Sequence, residues 1–139
     1  MEVTLILGDF AETDPSSGKV HILGAGWSVT GPAPSPQAIV AFLRVSPDRV
    51  HSPIAFTARL LDKTRQVVET PGVGGMQRLE ISGQVEIQVP DAWDAVSDLP
   101  ASFAINIGAL PLKPGSAYSW TVEIDGKEEA HADFIVRAS

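Results

Sequence analysis

The segment KVHILGAGWSVT, residues Lys19–Thr30, is the longest predominantly apolar stretch of the chain. Apolar side chains lie at both alternating positions: Val20 and Ile22 at one parity, Leu23, Ala25, Trp27 and Val29 at the other. A strand that is apolar on both faces is typical of a position covered on both sides. The segment therefore predicts a central strand, in which Gly24 and Gly26 leave room for a bulge or for close approach of another segment.

Strand patterns separated by turn residues continue on both sides of this segment. The predicted strands are Val3–Glu12, Ala38–Ser46, Ile54–Asp62, Gln66–Thr70, Arg78–Val89, Ala101–Ala109, Tyr118–Asp125 and Ala130–Ala138. Arg78–Val89 alternates strictly between apolar and polar residues, which indicates one buried and one solvated face. The segment Pro90–Pro100 is the one candidate for a short helical turn.

The connections carry recognisable turn chemistry. Thr13–Gly18 combines Asp, Pro, Ser and Gly and predicts a hairpin between the first strand and Lys19–Thr30. Gly31–Pro36 has a proline at every second position, which predicts an extended crossing loop. Pro71–Gly75 is glycine-rich, but no Gly-Lys-Ser/Thr follows it, so we interpret it as a flexible loop and not as a phosphate cradle.

The number and spacing of these strands predict the fold class. Eight or nine strands with almost no helical periodicity indicate an all-β protein, a single antiparallel immunoglobulin-like β-sandwich domain over residues 1–139. A closed barrel is the alternative. Tyr118 follows a Pro-Gly turn, and we expect it to bury its ring and bond backbone a few residues upstream, as a tyrosine corner does.

Composition narrows the function classes. The chain has 139 residues, 10 basic and 17 acidic side chains and a net charge of −7, which disfavours binding to nucleic acid or to an anionic membrane surface. Cysteine is absent, so disulfides and thiolate metal sites are excluded. The N-terminus MEVTLILGDF lacks a basic signal-peptide region. We expect a cytoplasmic or virion-associated protein.

Two segments resemble a family of small uncharacterised bacterial β-sandwich proteins that is frequent in actinobacteria and their phages. They are LILGDFAETDPSSGKVHILGAGWSVTGP near the start and LKPGSAYSWTVEIDGKEEAHADFIV near the end. The resemblance implies a β-sandwich and an actinobacterial or phage origin. It brings no catalytic residue and no cofactor.

Three sequence patterns weakly resemble catalytic or metal-binding sites. Gly26–Thr30 approaches the Gly-x-Ser-x-Gly motif around Ser28, but it ends in Thr and no helix follows. His131 and Asp133 share a strand face and form at most half of a metal site. Asp91, Asp94 and Asp98 lack the spacing of a calcium loop. We therefore expect a protein without catalytic residues, cofactor or metal.

Loops supply the candidate partner-binding residues. Trp27 and Trp120 lie on predicted strands and are expected in the core, whereas Trp93 lies in a loop and either folds back over the domain or anchors a partner. The candidates are Trp93, Asp91, Asp94, Pro32, Pro34 and Pro36. We expect a non-catalytic structural or protein-interaction module, such as a capsid decoration or minor structural protein of a phage particle. A small-ligand or carbohydrate-binding module is the alternative.

Overall fold

The computed structural model describes all residues, 1–139, and confirms an all-β protein. Its strands are β1 (Glu2–Gly8), β2 (Phe10–Thr13), β3 (Val20–Leu23), β4 (Val29–Thr30), β5 (Gln37–Val45), β6 (Ile54–Asp62), β7 (Glu69–Gly72), β8 (Gly75–Arg78), β9 (Glu80–Val85), β10 (Leu99–Ile107), β11 (Ala117–Ile124) and β12 (Lys127–Val136). One 3-10 turn at Pro47–Arg49 is the only helical segment, so the helical turn predicted within Pro90–Pro100 is wrong. The chain contains no helix that could span a membrane.

The strands form four sheets. A three-stranded sheet has the order β1-β5-β10, a five-stranded sheet has the order β4-β12-β11-β6-β9, and β2–β3 and β7–β8 are separate two-stranded hairpins. Every pairing is antiparallel except the short one between β4 and β12. The structure has twelve strands in place of the predicted eight or nine, because the predicted strands Val3–Glu12 and Lys19–Thr30 are each divided and an additional strand, β8, begins in the predicted loop Pro71–Gly75.

The two larger sheets share one hydrophobic core. Its 20 buried residues come from both sheets and include Trp120 and Phe134, the two largest side chains that are fully buried. The indole Nε1 of Trp120 donates a buried hydrogen bond of 3.0 Å to Oε1 of Gln37, which links the five-stranded sheet to the three-stranded one. Burying a polar group is costly unless it finds a partner, so this bond allows the ring to sit in the core.

The central strand of the three-stranded sheet is β5, not Lys19–Thr30. Ile39 and its odd-numbered neighbours face the main core, while Ala38 and Val40 are covered on the opposite face by the β2–β3 hairpin. Lys19–Thr30 is divided between β3 in that hairpin and β4 at the edge of the five-stranded sheet. The predicted central strand is therefore wrong, because the segment is divided along its length between two sheets.

Strand register defines two opposite ends of the molecule. Val45 pairs with Leu99 at one end of β5, and Gln37 pairs with Ile107 at the other. An ion pair between Arg49 and Asp125 places the β11–β12 turn at the first end. We call the first end the Trp93 end; it carries the loops 46–53, 86–98 and 125–126. We call the opposite end the proline end; it carries the segments 31–36, 108–116 and 137–139.

The predicted tyrosine corner is confirmed at the proline end. The backbone N–H of Lys113 donates a hydrogen bond of 2.9 Å to the phenolic oxygen of Tyr118, five residues downstream. The Tyr118 ring is buried and stacks on Phe134, with 5.7 Å between the ring centroids. The corner thus fixes the long 108–116 loop to the start of β11.

Candidate functional site

The Trp93 loop folds back onto the domain but leaves part of its surface in solvent. The Trp93 ring is half-buried, packs against the main core and meets the His51 ring edge-on at 6.1 Å between centroids. Its Nε1 donates a hydrogen bond of 2.9 Å to the carbonyl oxygen of Ser97. In the same loop, Val96 is 76% exposed. The ring therefore closes the end of the core, and the loop that carries it also exposes an apolar side chain.

Asp94 organises this loop. Its carboxylate accepts backbone N–H bonds from Val96 at 2.9 Å and Ser97 at 2.8 Å. The hydroxyl of Ser97, followed by these two N–H groups, lowers the pKa of Asp94 below its ordinary value of 3.8. Asp94 is thus a turn-capping residue. The structure has no group of three or more His, Cys, Asp or Glu that could hold a metal ion, so Asp91, Asp94 and Asp98 do not assemble into a calcium site.

Carboxylates dominate the Trp93 end. Its loops contain six acidic side chains and one basic side chain, Arg49, which pairs with Asp125. Five carboxylates remain without a cation within 4.0 Å: Asp48, Glu86, Asp91, Asp94 and Asp98. Arg44, on the adjacent end of β5, pairs with Glu2 at 3.9 Å. This end is therefore strongly acidic.

The proline loop lies at the opposite end. Pro32 is half-buried, whereas Pro34 and Pro36 are exposed. The Arg137 guanidinium lies against Gly31, where a side-chain carbon would come within 3.1 Å of Nη2, and the Arg137 N–H donates to the carbonyl oxygen of Thr30 at 2.9 Å. The predicted partner-binding residues therefore fall into two groups, separated by the full length of β5.

Cations remain unpaired at the proline end. No carboxylate lies within 4.0 Å of three basic side chains: Lys63, Lys113 and Arg137. Lys63 belongs to this end because it follows the last residue of β6. Asp9 and Asp62 are the carboxylates of this end, and the Asp62 side chain accepts bonds from the Thr64 hydroxyl and from backbone N–H groups of its own turn. Asp9 and Asp62 also have no cation within 4.0 Å, so the unpaired side-chain charges sum to +1 at the proline end, against −5 at the Trp93 end.

A projecting hairpin, β7–β8, is the surface feature that the sequence did not predict. Pro71–Gly75, predicted as a flexible loop, contains its tight turn: Gly72 pairs with Gly75, and Gly74 and Gly75 have φ angles of 87° and 121° that favour glycine. Val73 at the tip is 99% exposed and Met76 is 62% exposed. We call residues 69–78 the arm. A valine between glycines was the available signal for an exposed tip.

The outer face of the five-stranded sheet carries a shallow groove of about 440 Å³ near the proline end. Its apolar lining includes Val29 and Ile135, both about half exposed. On one side lies Asp133, whose pKa is lowered because the Ser119 hydroxyl and the His131 ring lie beside its carboxylate. His131 Nδ1 is 3.1 Å from Asp133 Oδ1, so the predicted proximity of these two residues is confirmed.

The Ser28 segment does not form a nucleophile elbow. The chain passes from Trp27 directly into β4, and no helix follows the serine. The carbonyl oxygen of Ser28 accepts the N–H of Ile135 at 2.9 Å, which places Ser28 on the edge of a sheet. Trp27, expected in the core, is only half-buried at its border, where it packs edge-on against Phe134 with 5.4 Å between ring centroids.

Comparison with known proteins gives one family match. A family model described as a family of unknown function, DUF6941, matches residues 3–137. No curated protein matches the sequence.

Proposed function

Because the chain belongs to DUF6941, a family of unknown function, we propose its role from its surface: a non-catalytic structural or protein-interaction module. We also propose that the two larger sheets constitute one immunoglobulin-like β-sandwich to which the β2–β3 hairpin and the arm are appended. The shared core and the tyrosine corner support this architecture, since both are typical of such sandwiches.

The arm is the single observation that carries the interaction proposal. A two-stranded hairpin is marginally stable in water on its own, and this one makes extensive contacts with no other strand. Its tip nevertheless exposes Val73 and Met76. Apolar side chains held on a projecting hairpin bury area at little rearrangement cost when they meet a partner. The arm is therefore suited to contact with another protein.

The location that we propose is cytoplasmic or virion-associated. A component of a larger assembly, such as a capsid decoration or minor structural protein of a phage particle, would use such an arm against a neighbouring subunit. The net charge of −7 favours a protein partner with basic contacts over nucleic acid or an anionic membrane.

Affinity capture from the native host or phage lysate with matched arm variants tests this function. Wild-type protein should retain one defined partner protein, and Val73→Asp should lose it because the aspartate would have to be desolvated in the contact. Glu12→Lys, an exposed change outside the arm, is the control and should retain the partner. A partner retained equally by Val73→Asp would contradict a role for the arm.

The groove favours a second candidate, a small-ligand or carbohydrate-binding module. Its volume of about 440 Å³ lies within the usual range for small-molecule sites. An NMR titration with a glycan and metabolite panel tests it: a ligand should shift the Ser119 and Asp133 amides, and Asp133→Ala should weaken binding at least tenfold. Shifts confined to other parts of the chain would place the ligand elsewhere.

A further inference from the structure

We propose that copies of this chain associate head to tail, with the Trp93 end of one copy seated on the proline end of the next. The inference goes beyond the proposed arm contact, because it names a second copy of the chain as the partner of the two ends. It arises from the separation of charge and of exposed apolar groups between the two ends of the same strands.

Charge complementarity is the first argument. The Trp93 end presents five carboxylates without a cation. The proline end presents three unpaired cations, Lys63, Lys113 and Arg137, against the two unpaired carboxylates Asp9 and Asp62, so it is weakly positive. At 0.1 M ionic strength the Debye screening length is about 10 Å, so opposite charges that come closer than this across an interface still attract each other. Opposite patches also orient the encounter and exclude the wrong approach. The opposite end of a second copy therefore carries the complementary charge for each end, although the chain as a whole is acidic.

The apolar surfaces of the two ends also match. Trp93 is half-buried and Val96 of the same loop is exposed, so the acidic end carries apolar side chains as well as carboxylates. Pro34 and Pro36 are exposed at the other end. Proline-rich segments dock on aromatic surfaces with little loss of entropy, because their φ angles are already fixed. A loop that carries an exposed valine and a half-buried tryptophan is the kind of surface that such a segment covers.

The placement of the two ends determines the symmetry. Val45 and Gln37 mark opposite ends of one strand, so the two surfaces point in opposite directions. An interface between two different patches is heterologous, and it produces rings or open chains of copies, not closed two-fold dimers. Mass should therefore grow with concentration beyond the dimer.

Sedimentation equilibrium on the full chain tests the proposal at 50 and 500 mM NaCl, from 5 to 500 µM protein. We expect mass to increase past the dimer with concentration at low salt, and the association constant to fall at least tenfold at high salt. Trp93→Ala should weaken association about 30-fold, which corresponds to the usual hot-spot loss of about 2 kcal/mol. A monomer at every concentration and both salts would overturn the proposal.

Charge reversal supplies the matched control. Asp91→Lys with Asp98→Lys should abolish self-association, as should Lys113→Glu with Arg137→Glu, and an equimolar mixture of the two double variants should associate again. Glu12→Lys with Asp14→Lys changes net charge as much as the first pair but lies on the β2–β3 hairpin and its turn, outside both ends and the arm, so it should associate as wild type does.

The outcomes separate this inference from the proposed function. Equal weakening by the hairpin control, or no restoration on mixing, would overturn the end-to-end contact. Circular dichroism on each variant checks that the fold is retained. A monomeric protein that still captures a partner through Val73 would refute only the head-to-tail contact, whereas head-to-tail association without an arm-dependent partner would refute only the arm.

Discussion

The hydroxyl of Tyr118 offers a stringent test of the corner at the proline end. Tyr118→Phe removes one oxygen and leaves the buried ring stacked on Phe134. The Lys113 N–H then loses the acceptor that lies at 2.9 Å. The substitution therefore isolates a single hydrogen bond between a side chain and a loop.

The expected magnitude follows from the surroundings of that bond. Leaving a buried donor without a partner costs about 1–3 kcal/mol. Lys113 is itself exposed, so water can replace part of the lost bond. We therefore expect a loss of about 1 kcal/mol in the free energy of unfolding, at the lower end of that range. In a domain of this size, such a loss lowers Tm by about 2–5 °C.

Urea denaturation, followed by tryptophan fluorescence, measures this loss directly. Hydrogen exchange at the Lys113 amide should accelerate in the variant, since its protection depends on the phenolic oxygen. Tyr118→Ala is the control, and it should cost about 3–5 kcal/mol because it also removes the ring. An unchanged midpoint together with unchanged exchange at Lys113 would refute the corner.

Two further substitutions test the core and the Trp93 loop. Trp120→Ala should cost about 3–5 kcal/mol by chemical denaturation, since it removes a fully buried ring and the partner of Gln37, whereas Trp93→Ala should cost clearly less; equal losses would make Trp93 a core residue. Folding lowers the pKa of Asp94. The ionised carboxylate therefore contributes its full stability to the fold at pH values above the ordinary pKa of 3.8, and this contribution is lost as pH falls through the lower pKa of the folded state. The difference in midpoint between wild type and Asp94→Asn should thus narrow from pH 6 to pH 2, and a constant difference would contradict the capping role.

Strands whose sequence pattern shows which faces are buried could be predicted from the sequence. Ile54–Asp62 was predicted with the bounds that β6 has, and the alternation of Arg78–Val89 matches the burial of Ile81 and Val85. A period of two reports which face is buried, and local sequence contains that information. It does not report where hydrogen-bond pairing stops, so the end of β9 at Val85 was missed.

The failure at Lys19–Thr30 has a tertiary cause. Ile22 packs against the cluster beneath the β2–β3 hairpin, while Leu23 on the other face is 67% exposed. Gly24 and Gly26, with φ angles of 65° and 88°, turn the chain between the two sheets. Apolar residues on both parities therefore predict one doubly covered strand, although they belong to two short ones.

The candidate site was predictable only in its parts. The loops around Trp93 and the prolines stand out in the sequence, and the structure places both at the surface. Their positions at opposite ends depend on the pairing of Val45 with Leu99 and Gln37 with Ile107. Such long-range register is absent from local patterns, so the division of charge between the ends could not be predicted.

The arm leaves the sheet and returns to it at nearly the same point. The N–H of Leu79 donates a hydrogen bond of 2.9 Å to the carbonyl oxygen of Val68, directly across the base of the excursion. Residues 69–78 could therefore be shortened, exchanged or extended without moving the strands on either side, because closing a longer loop adds little entropy cost. The sequence of the arm can therefore vary independently of the residues that keep the domain folded, and a foreign peptide grafted at Val73 would be displayed on an intact scaffold.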